Sequence, residues 1–261
     1  MSKRTWSVFA GLCALLTLAV CAVPSGAQMA EVKEKPAMYS YIANWQIPRA
    51  HWAEMEAANA ADKAILDKAM ADGTLVGYGD DINLVHTSEG WTHDDWWSSN
   101  SMAGLVKVLE LLTSGGNTTT SVLGTATKHS DDIFVSHYYN WKPGAAYKGG
   151  YVHVSEYKLK ADAPDDAVET LSKHLVVPML EKLLADGTIV EYEIDTMAIH
   201  TSAPGTFAIV YVTPTPEGLD AVQAAVRAAG KDHPLASDAF GSFVDDNGHR
   251  DELGKGNGIF K

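Results

Sequence analysis

From Met38 onward the spacing of apolar and polar residues changes period in a fixed order. Met38 to Gln46 alternates and is rich in aromatics, which predicts a strand. Pro48 opens a helical stretch to Ala71, with Trp52, Met55, Ile65, Ala69 and Met70 as its apolar stripe. Asp72-Gly73 ends that helix, the glycine supplying a left-handed cap. Strands are predicted over Leu75 to Thr87, near Asp94 to Ser98 and over Ile133 to Trp141, with a helix from Met102 to Leu112. The order is βαββαβ, and the Thr-, Gly- and Ser-rich stretch from Thr113 to Lys128 is a surface loop within it.

The same order returns. Tyr151 to Leu159, Ile189 to His200 and Phe207 to Val212 are predicted strands. Asp165 to Ala185 and Glu217 to Ala229 are predicted helices, the first kinked at Pro178. The last strand should follow Val244, but Asn247 to Glu252 is polar and glycine-flanked, so that strand is expected to be a short edge strand or absent. Gly254 to Gly258 lacks the strand–helix setting of a phosphate loop and reads as a frayed end.

The two halves are copies. At an offset of 114 residues, 66–88 and 180–202 share 12 identities in 23 positions without a gap. Tyr78 maps to Tyr192, Asp81 to Asp195, and His86-Thr87-Ser88 to His200-Thr201-Ser202. Such a match marks internal duplication.

The βαββαβ order is the ferredoxin-like one. Two such units in tandem, with long first helices, resemble the dimeric α+β-barrel superfamily in its single-chain, pseudo-dimeric form. Its relatives include stress-responsive barrel proteins, antibiotic-biosynthesis-type monooxygenases and the chlorite dismutase group. The resemblance is one of topology over nearly the whole mature chain, with no motif from which catalytic residues carry over. It implies an α+β fold whose helices cover one face of each sheet while the other faces meet across a cavity, the default ligand site.

The ends and the charge narrow the setting. Lys3 and Arg4, the apolar run Val8 to Val23 and the small residues Ser25-Gly26-Ala27 make an export signal, with cleavage expected after Ala27. The expected units are therefore the signal peptide 1–27, a first repeat 28–148 and a second repeat 149–261 in a periplasmic or extracellular protein. Both cysteines, Cys13 and Cys21, lie in the leader, so the mature chain has no disulfide, cysteine nucleophile or thiolate metal site. The net charge is −13, and losing Lys3 and Arg4 makes it 18 − 33 = −15. That acidity argues against nucleic acid or anionic membranes as partners. No membrane span is expected, and the chain is expected as a monomer or homodimer.

Candidate chemistry gathers on the predicted strands. Tyr78 and His86 share a strand face, as do Tyr192 and His200, and a pseudo-two-fold axis could bring both sets to one cavity. The competing reading has His-Thr closing each strand by hydrogen bonds to backbone. His153 shares parity with Tyr151 and Tyr157, opposite Val152 and Val154, which suits a cavity-facing histidine with the valines under helices. His137 shares parity with Tyr139 and Trp141. His86, His137, His153 and His200 are thus candidate ligands for a metal or haem, although no His-x-x-x-His pair occurs. Trp91, Trp96 and Trp97 beside His93, Asp94 and Asp95 could wall a planar ligand; alternatively Trp96 and Trp97 pack on opposite strand faces. Glu191 and Glu193 read most simply as a solvated face of an edge strand.

Three functions follow. The leading expectation is an exported barrel protein that binds a small apolar or aromatic ligand between its repeats without catalysis. The alternatives are a haem- or metal-dependent oxidoreductase of the monooxygenase kind using cavity histidines, and a structural protein with a filled barrel.

Overall fold

In the computed structural model the described residues are 32–114 and 122–261, and Glu31–Lys261 forms one compact unit. The expected leader, with both cysteines, and the centre of the Thr113 to Lys128 loop lie outside the described residues.

The first repeat runs β1 (Met38–Gln46), α1 (Trp52–Asp72), β2 (Gly77–Val85), β3 (His93–Ser99), α2 (Met102–Ser114) and β4 (Lys128–Trp141). The second runs β5 (Ala146–Lys158), α3 (Ala167–Leu171), a π-helical turn (Ser172–Val176), α4 (Val177–Asp186), β6 (Glu191–Ile199), β7 (Thr206–Thr213), α5 (Pro216–Asp232), α6 (Pro234–Phe243) and β8 (Arg250–Phe260). The expected kink takes the form of the π turn. Pro178, with no N–H to give, sits in the first turn of α4, where that lack costs least. The helix α6 has no counterpart in the predicted elements.

Duplicated residues do duplicated structural work. Gly73 and Gly187 hold φ of 81° and 86° as left-handed caps of α1 and α4, a conformation that costs glycine little. Tyr78 Oη donates to Asp67 of α1 at 2.5 Å, and Tyr192 Oη to Glu181 of α4 at 2.6 Å. Each bond ties the second strand of a repeat to its first long helix.

The eight strands close into one antiparallel barrel in the order β1-β3-β2-β8-β5-β7-β6-β4. Each repeat contributes a ferredoxin-like sheet, β4-β1-β3-β2 or β8-β5-β7-β6, and the joins are β2 to β8 and β4 to β6. The fold is a pseudo-dimeric α+β barrel made within one chain.

The final strand corrects the sequence reading. β8 spans 11 residues and pairs with both β2 and β5, so it is a full stave of the barrel. Gly254, Gly256 and Gly258 are buried in it. A Cβ on Gly256 would fall on the Asp80 carbonyl oxygen and Asp81 Oδ1, and one on Gly258 would meet the Tyr147 ring. The glycines are there because neighbouring groups use the space, a demand that period and polarity do not register.

Face assignment on β5 is also corrected. Val152 and Val154 line the lumen, while His153, Ser155 and Tyr157 face the helices. The lumen of this barrel takes a mixed lining, so valine does not mark the helix-covered face.

Candidate functional site

Two cavities lie on opposite faces of the barrel wall. The first is the lumen, about 340 Å³. Trp96 and Phe260 line it, stacked at 5.4 Å, and Trp141 stacks in turn on Phe260 at 5.1 Å. Its lining runs out to Trp91, Thr201 and the exposed Arg250.

The lumen is acidic. Glu191 and Glu193, expected on a solvated edge, are 2% and 7% exposed on a central strand of a closed barrel, facing inward with Asp195. Ser40 donates to Glu193 and Ser136 to Asp195. Burial pushes Glu191, Glu193 and Asp81 well above the usual carboxylate range, and raises Asp195 to about 6. The charge of neighbouring carboxylates reinforces the first three: Glu193 foremost for Glu191, Asp195 for Glu193, and Asp80 and Asp95 for Asp81. Duplication carried a signal that parity alone did not, since Asp81 and Asp195 are the repeated pair and both are buried there. Elsewhere the copies exchange volume across neighbouring strands. Gly79 sits opposite Trp96, whose ring a Cβ on Gly79 would approach to 2.6 Å, while the matching pair is Glu193 opposite Val210.

The second cavity, about 390 Å³, lies between the outer face of the second repeat's sheet and its helices. Leu175, Met179, Leu180, Val222, Val226 and Phe240 give it apolar walls. Its polar edge centres on Asp251 Oδ1. That oxygen accepts from Ser155 Oγ at 2.8 Å, meets His249 Nε2 at 3.1 Å and stands 3.9 Å from His153 Nε2. The His153 ring stacks on Tyr211 at 4.9 Å and the His249 ring on Tyr157 at 4.5 Å. Burial lowers the His153 pKa, opposed by the Asp251 charge, so the imidazole is neutral at pH 7.

The first repeat uses the matching place for packing. Tyr41 and Trp97 are cross-strand partners there, as His153 and Tyr211 are here, and they stack at 4.3 Å in a core 5–6% exposed.

Of the residues singled out from the sequence, Trp91 and Trp96 line the lumen and His153 lines the helix–sheet pocket. Trp97 is under the helices, so Trp96 and Trp97 do divide between the two faces. Tyr78 and Tyr192 face the helices, as their bonds to Asp67 and Glu181 require. His86 and His200 are exposed beyond their strand ends, and His86 Nδ1 meets the Asn83 carbonyl at 3.1 Å. His137 pairs with Glu34 at 3.1 Å. Among the described residues no three His, Cys, Asp or Glu side chains converge to hold a metal ion. His93 and Asp95 lie on the outer face, where burial lowers His93 to about 4 and raises Asp95 to about 7. His249 and Asp251, not among the candidates from the sequence, follow α6 on the stretch where a short edge strand or none was expected.

The residues present do not fit a haem. Among the described residues no lysine or arginine lines the helix–sheet pocket to meet its propionates, and no histidine lines the acidic lumen.

No protein-family model matches the chain. No curated protein matches it. Solved structures do share its fold. A structure named as a monooxygenase from Lactobacillus acidophilus NCFM superposes with a TM-score of 0.59 at 12% identity, covering 84% of this chain and 94% of that one. One named as a monooxygenase from Fusobacterium nucleatum gives 0.55 at 7% identity, covering 87% and 94%. One named as a chlorite dismutase gives 0.50 at 12% identity, covering 86% and 95%. At these identities the likeness establishes the fold, the dimeric α+β barrel. The names are those of enzymes. They overturn the expectation of a binding protein without catalysis and favour its enzyme alternative.

Proposed function

We propose that the protein is an exported oxidoreductase of the dimeric α+β-barrel superfamily in single-chain form. In this reading it takes an apolar aromatic substrate into the helix–sheet pocket of the second repeat and oxidises it with dioxygen after His153 removes a proton. The observation that carries the reading is a neutral, half-buried imidazole at the edge of an apolar pocket, with a carboxylate 3.9 Å away.

The chemistry follows from the surroundings. Neutral His153 can accept a proton from a CH₂ flanked by aromatic rings, and the imidazolium formed lies beside Asp251. Ser155 and His249 hold that carboxylate in place. Apolar walls keep water away and favour a delocalised carbanion over a hydrated one. Such an anion is electron-rich enough to reduce dioxygen, and conversion of the CH₂ to a carbonyl balances as CH₂ + O₂ → C=O + H₂O. Export rests on the leader reading, with units 1–27, 28–148 and 149–261. Among the described residues no helix is long and apolar enough to cross a membrane.

The test is oxygen uptake by purified residues 28–261 with anthrone as the probe. His153→Gln should lower kcat by about 10²–10⁴-fold while circular dichroism is unchanged. No uptake by the wild type, or a His153→Gln variant as fast as the wild type, overturns the reading.

A further inference from the structure

We propose that the barrel lumen is a binding site for an aliphatic polyamine. The inference is independent of the oxidoreductase reading, because it concerns the other face of the sheet and other residues.

The lumen gathers carboxylates without a cation to answer them. Asp81, Asp94, Glu191, Glu193, Asp195 and Glu252 all line it. Among the described residues the lone basic one in the lining is Arg250, and it is spent on Glu156 at the exposed end. Asp132 is engaged by Asn44 and Thr201 near the same end. Deeper in, Ser40, Ser136 and Asn83 donate to Glu193, Asp195 and Asp94, yet several buried polar atoms are left open. Tyr147, 7% exposed, lies over the lumenal face of Gly258, and its hydroxyl has no hydrogen-bond partner. Glu191 Oε1 and Asp94 Oδ1 are likewise buried and unpartnered. An uncompensated buried carboxylate or phenol is costly, and a cationic guest with several N–H donors would satisfy all three.

Size and lining select the guest. A cavity of about 340 Å³ is at the lower end of small-molecule pockets and far larger than one metal ion requires, and no metal-holding group of three is present among the described residues. Between the carboxylates the wall is apolar, with Ile42, Val152, Val154 and Val210 suited to methylene segments. Trp96 and Phe260 add aromatic surface to that wall. Glu191, Glu193 and Asp195 follow one another down β6 over a rise of about 13 Å, with Asp94 and Glu252 on other staves. That spread suits an extended chain bearing more than one ammonium. Because burial holds these carboxylates above their ordinary pKa, loading a polycation must release protons.

The experiment is calorimetric titration of residues 28–261 with spermidine at pH 7 in two buffers of different ionisation enthalpy. The expected result is one saturable site whose apparent enthalpy differs between buffers, reporting proton release. Glu191→Gln should weaken it at least about tenfold, and Tyr147→Phe, which keeps the ring, should also weaken it. 1,8-Octanediol, the uncharged probe, should give no saturable heat. No saturable heat with spermidine overturns the proposal. Equal affinity in folded Glu191→Gln and Tyr147→Phe variants also overturns it, by showing adsorption to the acidic surface. Magnesium binding in the lumen with spermidine excluded would overturn it in favour of a metal.

Discussion

Replacing Gly256 by alanine tests the barrel at the point where the polar tail of the sequence becomes a stave. A Cβ there would fall on the Asp80 carbonyl oxygen and on Asp81 Oδ1, far inside van der Waals contact. The first of these is backbone in the paired strand β2, opposite Gly256 and its neighbours in the β2–β8 register, so it cannot swing away as a side-chain end would. Overpacking of this kind costs about 3 kcal/mol or more. For a unit of this size that is a fall in Tm of about 6–12 °C, at about 2–4 °C per kcal/mol. Gly254→Ala is the internal control. Its nearest neighbour would be Asp81 Cβ at 3.4 Å, an ordinary contact, and alanine also gives back about 0.5–1 kcal/mol of strand propensity. Its Tm should therefore stay within about 3 °C of the wild type. Thermal melts of residues 28–261 followed by far-ultraviolet circular dichroism read both. Two variants that melt together, close to the wild type, would mean that 254–258 is the frayed end its composition suggests, and the closed barrel would be refuted.

Other expectations follow from the duplicated contacts and the acidic interior. Tyr192→Phe removes the 2.6 Å bond to Glu181, which still accepts from Asn140 at 2.8 Å, so urea melts should show a loss of about 1 kcal/mol. Tyr78→Phe, whose partner Asp67 is exposed and also held by Lys63, should cost less. The double variant should be additive within about 0.5 kcal/mol, since the two bonds lie in different repeats. The pH profile should be inverted relative to a protein with paired carboxylates. A carboxylate whose folded pKa is raised binds its proton more tightly when folded, so its contribution is present below its unfolded pKa and is lost as pH rises through the folded one. For Asp195 that loss spans about pH 4 to about 6, and for Glu191, Glu193 and Asp81 it continues to higher pH. Asp67, Asp72 and Asp186, held below their ordinary values by hydrogen bonds, act oppositely and weaken the fold only at lower pH. His93, lowered to about 4, and His153, also lowered, oppose the trend from about pH 6.5 downward, but the raised carboxylates outnumber them. Cation-free protein should therefore melt higher at pH 5 than at pH 8, with Asp195→Asn flattening the difference. A Tm that rises steadily from pH 5 to pH 8 would refute the buried, uncompensated carboxylates.

The order of elements was legible in the chain because each element carries its own signal. β1 is bounded as its alternation predicts, Gly73 and Gly187 cap the helices that they end, and Pro178 marks the disturbed helix. Duplication then made two such units the expectation, and topology followed from their order. What alternation cannot say is which side of a strand is inside when both sides are covered. In a closed barrel with helices outside, His153 and Val154 are each covered by something, and only the closure of β2 on β8 and β4 on β6 decides which meets the lumen. The same closure turned Glu191 and Glu193 from a solvated edge into the interior, and gave the glycines of β8 a purpose set by Asp80, Asp81 and Tyr147 on the two strands beside it. The histidine–carboxylate edge of the helix–sheet pocket joins His153 to His249 and Asp251, some hundred residues later, through the pairing of β5 with β8. Local pattern fixes what each segment is, because its causes are local. Sites made by strand partners distant in sequence exist only once the barrel has closed.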